Sequence, residues 1–145
     1  MAEAYVDSNV FLDYCWNRQS GMRPLGEFAC QFITRALQCE FVVLITEDVV
    51  EEVSRAMRTS PSEMRKRVLA QLSAAGKLKE IRYTPAEERE ARQVASKYAI
   101  PRADALHAVV ARDNGAILVT SDKHLLMLEG KGEFAGLRVA TPALV

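Results

Sequence analysis

The stretch AYVDSNVFL, residues 4–12, passes from a short apolar run directly to an acid and then into a second apolar segment. Similar apolar runs occupy residues 41–45, 117–119 and 137–140, and residues 78–83 form a weaker candidate. These runs are mostly aliphatic or β-branched and show little alternation, which is typical of parallel strands covered on both faces. The first strand is therefore expected to end just before Asp7, and the acid to lie at the edge of a sheet.

Helical signals separate the predicted strands, in the form of capping residues, N-terminal prolines and one C-terminal glycine. In chain order they are Pro24 before an amphipathic stretch over 25–39, Thr46 before two acids, Ser60-Pro61-Ser62-Glu63, Thr84-Pro85-Ala86-Glu87, and Pro101 before a helix expected to end at Asn114-Gly115. Strands that alternate with helices predict an α/β fold with a mainly parallel sheet.

Length and composition fit one globular domain spanning residues 1–145, with 49% hydrophobic and 26% charged residues. Nineteen basic residues balance nineteen acidic ones, so net charge indicates neither a nucleic-acid nor a membrane partner. The sequence shows no signal peptide and no membrane-spanning run. We therefore expect a cytoplasmic protein that is neither secreted nor a disulfide scaffold, with reduced cysteines that serve packing: Cys15, Cys30 and Cys39.

Acids recur where predicted strands lead into helices. Asp7 follows the first strand, Glu51 and Glu52 lie in the helix after the second, Asp104 lies in the first turn after Pro101, and Asp122 follows the run 117–119. Because ligands of open parallel sheets bind at the carboxyl ends of the strands, these acids are expected to converge at one edge.

Converging carboxylates repel one another, so such a cluster is stable chiefly when a cation neutralises it. Oxygen ligands suit Mg²⁺ or Mn²⁺, and two such ions can activate a water and stabilise the leaving oxygen of a phosphodiester. That chemistry is typical of a nuclease. Taken singly, each acid has a structural alternative: Asp122 could cap the turn that follows it, and Asp104 could interact with a helix dipole.

Four blocks of the sequence resemble those of PIN-domain proteins and are similar to the VapC-type toxins of prokaryotic toxin–antitoxin pairs. The blocks are YVDSNVFL (5–12), ITEDVVEEV (45–53), RADALHA (102–108) and ILVTSDK (117–123), and the closing VATP (139–142) also fits the family. The resemblance implies a three-layer α/β/α fold around a mainly parallel sheet of about five strands. It further implies endonucleolytic cleavage of RNA, an antitoxin protein as partner, and a homodimer.

By that resemblance one or two Mg²⁺ or Mn²⁺ ions would be held by Asp7, Glu52, Asp104 and Asp122. Glu52 is favoured over Glu51 because the family's acid usually precedes an aliphatic residue, here Val53, but Glu51 stays open. Asn9 and Ser121 would hydrogen-bond the ligands or a metal-bound water.

The sequence departs from the family pattern at His124, which stands two residues after Asp122 where many relatives carry an acid or amide. This weakens the case for a second metal ion, and we expect His124 to face solvent. His107 follows Asp104 by three residues on the same helix face, and a packed, hydrogen-bonded histidine is expected there. Ser8 replaces the usual threonine and keeps its hydroxyl.

Basic residues concentrate in the segment 55–82, which holds eight of them against two acids. The candidates for binding an RNA backbone or an acidic partner segment are Arg58, Arg65, Lys66 and Arg67. The alternative is a solvated helical face. Tyr14-Cys15-Trp16 could line the site or pack at an interface.

Two other classes of function compete with the nuclease: phosphate chemistry on another α/β scaffold, and a non-enzymatic binding module. A phosphate-transferring hydrolase would need Asp-x-Asp after the first strand, whereas this chain has Asp7-Ser8-Asn9. A receiver domain would need an acidic pair there, which is also missing. The stronger alternative is a PIN-like module, catalytically weak or inactive, that binds RNA or protein.

Overall fold

The protein is built around a sheet of five strands, and the computed structural model describes all 145 residues. The strands are β1 (Ala2–Val6), β2 (Phe41–Ile45), β3 (Leu78–Glu80), β4 (Ile117–Val119) and β5 (Val139–Ala140). They lie in the order β3-β2-β1-β4-β5, and every neighbouring pair is parallel. This confirms the predicted parallel sheet.

Eight α-helices connect and flank the strands. They are α1 (Ser8–Trp16), α2 (Leu25–Leu37), α3 (Glu47–Met57), α4 (Pro61–Met64), α5 (Ala70–Ala74), α6 (Pro85–Tyr98), α7 (Arg102–Asp113) and α8 (Lys123–Leu126). A π-helical turn, Arg65–Leu69, joins α4 to α5, and a short 3₁₀ helix covers Gly132–Phe134. No helix combines the length and the apolar character needed to cross a membrane.

The order of the strands places the helices in two layers. The chain moves outward from β1 to β2 and β3, then returns past β1 to β4 and β5. Because crossovers between parallel strands are right-handed, the helices before β3 and those after it cover opposite faces. In agreement, α2 packs on β2, whereas α7 packs on β1 and β4. The predicted three-layer α/β/α architecture is thus confirmed.

Capping explains where several helices begin. Thr84 and Glu87 form a complete capping box at α6, whereas Ser60 accepts from the Glu63 backbone N–H without the reciprocal bond. Thr46 occupies the N-cap position of α3, but its hydroxyl makes no capping bond. It instead lies 2.8 Å from the hydroxyl of Tyr5, a neighbour brought in by β1. Thr46 therefore serves a buried contact that its local sequence does not indicate.

Three elements, β3, β5 and α2, are shorter than the sequence predicts. The strand predicted over 78–83 ends at Glu80, and the one over 137–140 begins at Val139. The helix α2 stops at Leu37, and Cys39 follows with a left-handed φ of +69°. The prediction that all three cysteines pack inside is wrong for Cys30 and Cys39, which are exposed because one lies on the outer side of α2 and the other in the turn after it.

The carboxyl ends of β1 and β4 lie side by side at the point where the order of the strands reverses. From β1 the chain runs to one side of the sheet, and from β4 to the other. Such a switch point leaves a crevice between the diverging connections. The ladder continues one step beyond β1, since the Asp7 backbone N–H donates to the Val119 carbonyl at 3.0 Å. Asp7 is thus fixed at the mouth of this crevice.

A close helix contact at Gly26 can be tested by substitution. A Cβ at this position would lie 2.4 Å from the Cα of Asn17, so the backbones would have to separate. Although alanine is the better helix former, we expect Gly26→Ala to destabilise the protein by about 2 kcal/mol in urea denaturation. Gly136→Ala is the control, because a Cβ there meets nothing within 4 Å. Equal stability of the two variants would contradict the contact.

Candidate active site

Asp7 is a buried acid at the carboxyl end of the central strand. Its residue is 1% exposed, and its Oδ2 accepts a hydrogen bond from the Thr120 hydroxyl at 2.8 Å. Ser8, the first residue of α1, places its hydroxyl 3.3 Å from the other carboxylate oxygen. Burial raises the pKa of Asp7, and the nearby His107 and the Thr120 bond only partly oppose that effect. This carboxylate is therefore costly to keep ionised in isolation.

Glu52 reaches Asp7 from α3. Its Oε2 accepts from the Ser8 hydroxyl at 2.8 Å, so Ser8 lies between the two acids. Burial acts to raise the pKa of Glu52, but the hydrogen bond and charge of His107, with help from Ser8, outweigh burial and lower it. The neighbouring Glu51 is exposed and turned outward. Of the two glutamates, the structure brings Glu52 to Asp7.

His107 joins the acids from α7. The ring is fully buried, with Nε2 3.0 Å from Glu52 Oε1 and 3.9 Å from Asp7 Oδ1. Its Nδ1 lies 2.7 Å from the Tyr5 hydroxyl, which also contacts Thr46. Burial acts to lower the pKa of His107, but its bond to Glu52 and the charge of Asp7 raise it. The histidine is packed and hydrogen-bonded as expected; the sequence reasoning missed that its partners are site acids.

Asp104 and Asp122 complete what we call the acidic cluster, the set Asp7, Glu52, Asp104 and Asp122. Burial, followed by the charges of Asp7 and Asp122, raises the pKa of Asp104 from its ordinary 3.8 to about 7. Asp122 also caps α8, because its Oδ1 accepts from the His124 backbone N–H at 2.8 Å. The His124 side chain itself is exposed. The charges of the other acids therefore act on Asp7 and on Asp104 at the switch point of the sheet.

The inner part of this cluster has donor atoms suited to a metal ion. Ligand atoms of Asp7, Glu52 and His107 all lie within 4.8 Å of one another, and no oxygen of Asp104 or Asp122 belongs to that group. Burial is the main cause of the raised pKa of Asp104, and the negative charges of Asp7 and Asp122 add to it. A divalent cation would relieve this repulsion, and carboxylate oxygens are the ligands that Mg²⁺ and Mn²⁺ prefer.

The hydroxyls that hold Asp7 are not the predicted pair. Ser8 and Thr120 make those bonds, whereas Asn9 and Ser121 hydrogen-bond none of the four acids. Ser8 and Thr120 each stand one position before the predicted residue, and a hydrogen bond from Asn9 or Ser121 to a metal-bound water stays a prediction. Successive helical side chains are turned by about 100°, and successive side chains of an extended segment point to opposite sides. Asn9 and Ser121 instead line a neighbouring cavity of about 290 Å³.

The basic segment lies apart from the acidic cluster. Arg65 forms an ion pair with Glu80 at 2.8 Å, and Arg58 ends α3 in a left-handed conformation. Lys66 is exposed on the π-helical turn. Arg67 lines a cavity that also contains Tyr14, Cys15 and Trp16, so these three residues border that cavity and not the acids.

Two arginines outside the predicted set lie beside Glu52. Arg55 and Arg102 line a cavity of about 310 Å³ together with Glu52 itself, and the charge of Arg55 helps to lower the pKa of Glu52. Arg55 is one turn after Glu52 on α3, and Arg102 begins α7. Their spacing from the acids was visible in the sequence, but only the packing of α3 near α7 shows that they share a cavity.

The family model of the PIN domain matches residues 4–130. A search of curated proteins found no match. Among solved structures, VapBC2 from Rickettsia felis, bound to a DNA fragment from its promoter, has 14% identity and a TM-score of 0.63, with 96% of this chain and 98% of the matched chain covered. FitAcB from Neisseria gonorrhoeae has 18% identity, a TM-score of 0.59 and coverages of 96% and 97%. At these identities the likeness shows a shared fold.

The buried contacts of Tyr5 can be tested by removing its hydroxyl. Tyr5→Phe leaves the Thr46 hydroxyl and His107 Nδ1 without their shared partner, both of them buried. We expect a loss of about 1–3 kcal/mol in the free energy of unfolding, measured by urea denaturation. Tyr83→Phe, whose hydroxyl makes one 3.3 Å bond to Asp48, is the control and should cost under about 1 kcal/mol. A neutral Tyr5→Phe would argue against the buried contacts.

The charge of Asp104 should destabilise the metal-free protein at high pH. With its pKa raised to about 7, Asp104 is protonated in both folded and unfolded states below pH 4, whereas above pH 7 the folded state must hold the ionised form. Stability is therefore lost as the pH rises from about 4 through about 7.

Replacing this carboxylate by an amide removes the cost. In EDTA at pH 8, Asp104→Asn should exceed the wild type by about 2 kcal/mol in urea denaturation, and the gap should close at pH 4. Glu51→Gln, at an exposed acid of α3, is the control and should show no such pH-dependent gain. An Asp104→Asn variant that is less stable at pH 8 would overturn the prediction.

Proposed function

This chain belongs to the PIN-domain family, and on that premise we propose that it is a metal-dependent endoribonuclease that hydrolyses RNA phosphodiester bonds. The observation that carries the proposal is the buried Asp7 beside Glu52 and His107 at the carboxyl end of β1, with their ligand atoms within 4.8 Å. An ionisable group of this kind at a switch point is a functional-site candidate. Asp7 is buried at that point, and the charges of Glu52 and Asp122 add to the effect of burial in raising its pKa.

In the proposed site Mg²⁺ or Mn²⁺ would be held by Asp7, Glu52, Asp104 and Asp122. When bound, such an ion would activate an attacking water and stabilise the leaving oxygen of a phosphodiester. The protein's own contribution is to fix the ligands. Thr120 and Ser8 hold the Asp7 carboxylate, and His107 holds one oxygen of Glu52. Such outer hydrogen bonds orient the acids before the substrate arrives.

The RNA backbone is proposed to enter beside Glu52. Arg55 and Arg102 line the cavity there together with Asp48, Glu51 and Glu52. The two guanidinium groups are the donors that a phosphate next to the cleaved bond would contact. Arg102 also pairs with Glu88 at 3.3 Å, an exposed contact that a phosphate could replace at little cost. The predicted substrate-binding residues Arg58, Arg65, Lys66 and Arg67 remain proposed as a second basic surface for more distant parts of the RNA.

We place the protein as the toxin of a toxin–antitoxin pair, acting in the cytoplasm as a homodimer whose protein partner is an antitoxin. The support is the fold shared with VapBC2 and FitAcB over nearly the whole of each chain and the sequence blocks that resemble VapC-type toxins. The domain proposed to carry this function spans residues 1–145.

A catalytically weak or inactive RNA- or protein-binding module is the second candidate. The observation that favours it is Asp122, whose Oδ1 already caps α8 next to an exposed His124 where relatives carry an acid or amide. The two functions differ in their need for metal. A nuclease should be stabilised against thermal unfolding by Mn²⁺, whereas a module without a working site should not be.

Cleavage of mixed-sequence single-stranded RNA tests the nuclease directly. Cutting should require Mg²⁺ or Mn²⁺ and stop in EDTA. We expect Asp7→Asn and Glu52→Gln to lower the rate at least about 100-fold, because each removes a charged ligand. Glu51→Gln is the matched control and should stay within about threefold, since Glu51 lies outside the inner group. Undiminished, EDTA-resistant cutting by Asp7→Asn would refute the mechanism, and a loss in Glu51→Gln alone would reassign the glutamate.

A further inference from the structure

A second cavity adjoins the acidic cluster and shares no lining residue with the cavity at Arg55 and Arg102. It has a volume of about 290 Å³ and lies between α1, the segment after it and the turn that leads into α8. Asp122 forms the shared wall, because it lines the cavity and its charge raises the pKa of both Asp7 and Asp104. A group bound in this cavity would therefore lie next to the acids.

The polar side chains of this cavity have unused hydrogen-bonding groups. Arg18 donates only its Nε, to Asp13 at 2.8 Å, so the two terminal nitrogens of the guanidinium have no protein partner. The amides of Asn9 and Gln19 also make no hydrogen bond to another residue. Leu25 adds the single apolar wall. The cavity thus offers a paired donor, two amides that can donate or accept, and one apolar surface.

Arg18 is held in place before any ligand binds. Its partner Asp13 is 2% exposed, and the Arg18 carbonyl accepts from the Gly26 backbone N–H at 2.8 Å. The guanidinium also lies 5.3 Å from the centre of the Trp16 ring. Asp13 and the Trp16 ring thus restrain the guanidinium, whose side chain is 37% exposed. A restrained planar donor loses less conformational entropy when it binds, which favours specific recognition over a loose charge contact.

The mixed walls select for a neutral, flat ligand with donors and acceptors. Asp13 and Asp122 disfavour a free phosphate or an acidic peptide, whereas a nucleobase carries no charge. Arginine pairs with O6 and N7 of guanine, and asparagine or glutamine with N6 and N7 of adenine, so these contacts are purine contacts. Bases of single-stranded RNA are free to enter such a cavity. The Arg18 guanidinium favours guanine over adenine, because guanine presents two acceptors, O6 and N7, to the two terminal nitrogens of the guanidinium.

We propose that this cavity binds one purine base of the RNA, guanine in preference to adenine, beside the cleaved phosphate, and that Arg18 and Gln19 thereby select the cleavage position. The proposal rests on the nuclease function described above. It assigns sequence selection to the α1–α2 segment and leaves hydrolysis to the acidic cluster.

The test uses single-stranded RNA made of uridines with one guanosine, adenosine or cytidine at a fixed position, cut by the full chain with Mn²⁺. The wild type should cut beside guanosine at least about tenfold faster than beside cytidine. In Gln19→Ala and Arg18→Lys this ratio should fall toward one. Gln19 is exposed, so its truncation leaves the fold intact even if Arg18→Lys disturbs Asp13. Gln31→Ala, an exposed amide of α2 outside the cavity, is the matched control.

The two proposals are separated by measuring, by fluorescence anisotropy, how the same RNAs bind to Asp104→Asn. This variant lacks one of the four proposed metal ligands and is therefore expected to bind RNA without cutting it. Cutting without base preference, or with a preference that Gln19→Ala and Arg18→Lys leave unchanged, overturns the base cavity and leaves the nuclease intact. A third outcome supports the cavity and refutes the nuclease. In that case the wild type does not cut, the Asp104→Asn protein binds RNA with a preference for guanosine, and adding Gln19→Ala removes the preference. Neither cutting nor selective binding overturns both.

Discussion

The buried carboxylate of Asp7 is the constraint on which the rest of the site depends. It ends the central strand of the sheet with 1% of its surface exposed. A buried charge in this position costs several kcal/mol unless hydrogen bonds and an opposite charge compensate it. Thr120 from the end of β4, Ser8 from α1 and the nearby His107 supply that compensation. Each comes from a different element, so the acid imposes a fixed arrangement on the strand ends and helix starts that surround it.

One line of hydrogen bonds carries this arrangement through the interior. It runs from Thr46 through Tyr5, His107, Glu52, Ser8 and Asp7 to Thr120. The line joins residues up to 113 positions apart and ties β1 to α3 and α7, because no member has a full set of partners within its own element. Asp104 lies beside this network with a pKa raised to about 7. The fold therefore keeps a repulsion that stability alone would remove, which is typical of a site maintained for chemistry.

Local patterns predict the elements well and the contacts between them less well. The strand runs and the Thr84 capping box depend on neighbouring residues, and the structure contains both. Thr46 has an equally good capping pattern, but its hydroxyl contacts Tyr5 instead of capping the helix. No residue near position 46 indicates this partner in β1. For the same reason the sequence pattern indicates Asn9, whereas in the structure Ser8 hydrogen-bonds Asp7. The four acids could be anticipated because parallel strands share one carboxyl edge; the role of His107 could not, since it depends on the packing of α7 against β1.

The zero net charge hides a polarity that runs across the site. One cavity at the acidic cluster offers the guanidinium groups of Arg55 and Arg102, beside three acids, as donors to phosphates. In the other cavity Arg18 is paired with Asp13, and two amides add uncharged donors and acceptors. A strand of RNA has the same division, with charge on its backbone and uncharged donors and acceptors on its bases. A balanced composition is thus compatible with a nucleic-acid ligand. Positive charge is needed only where the phosphates lie, and selection of a base depends on hydrogen-bonding groups.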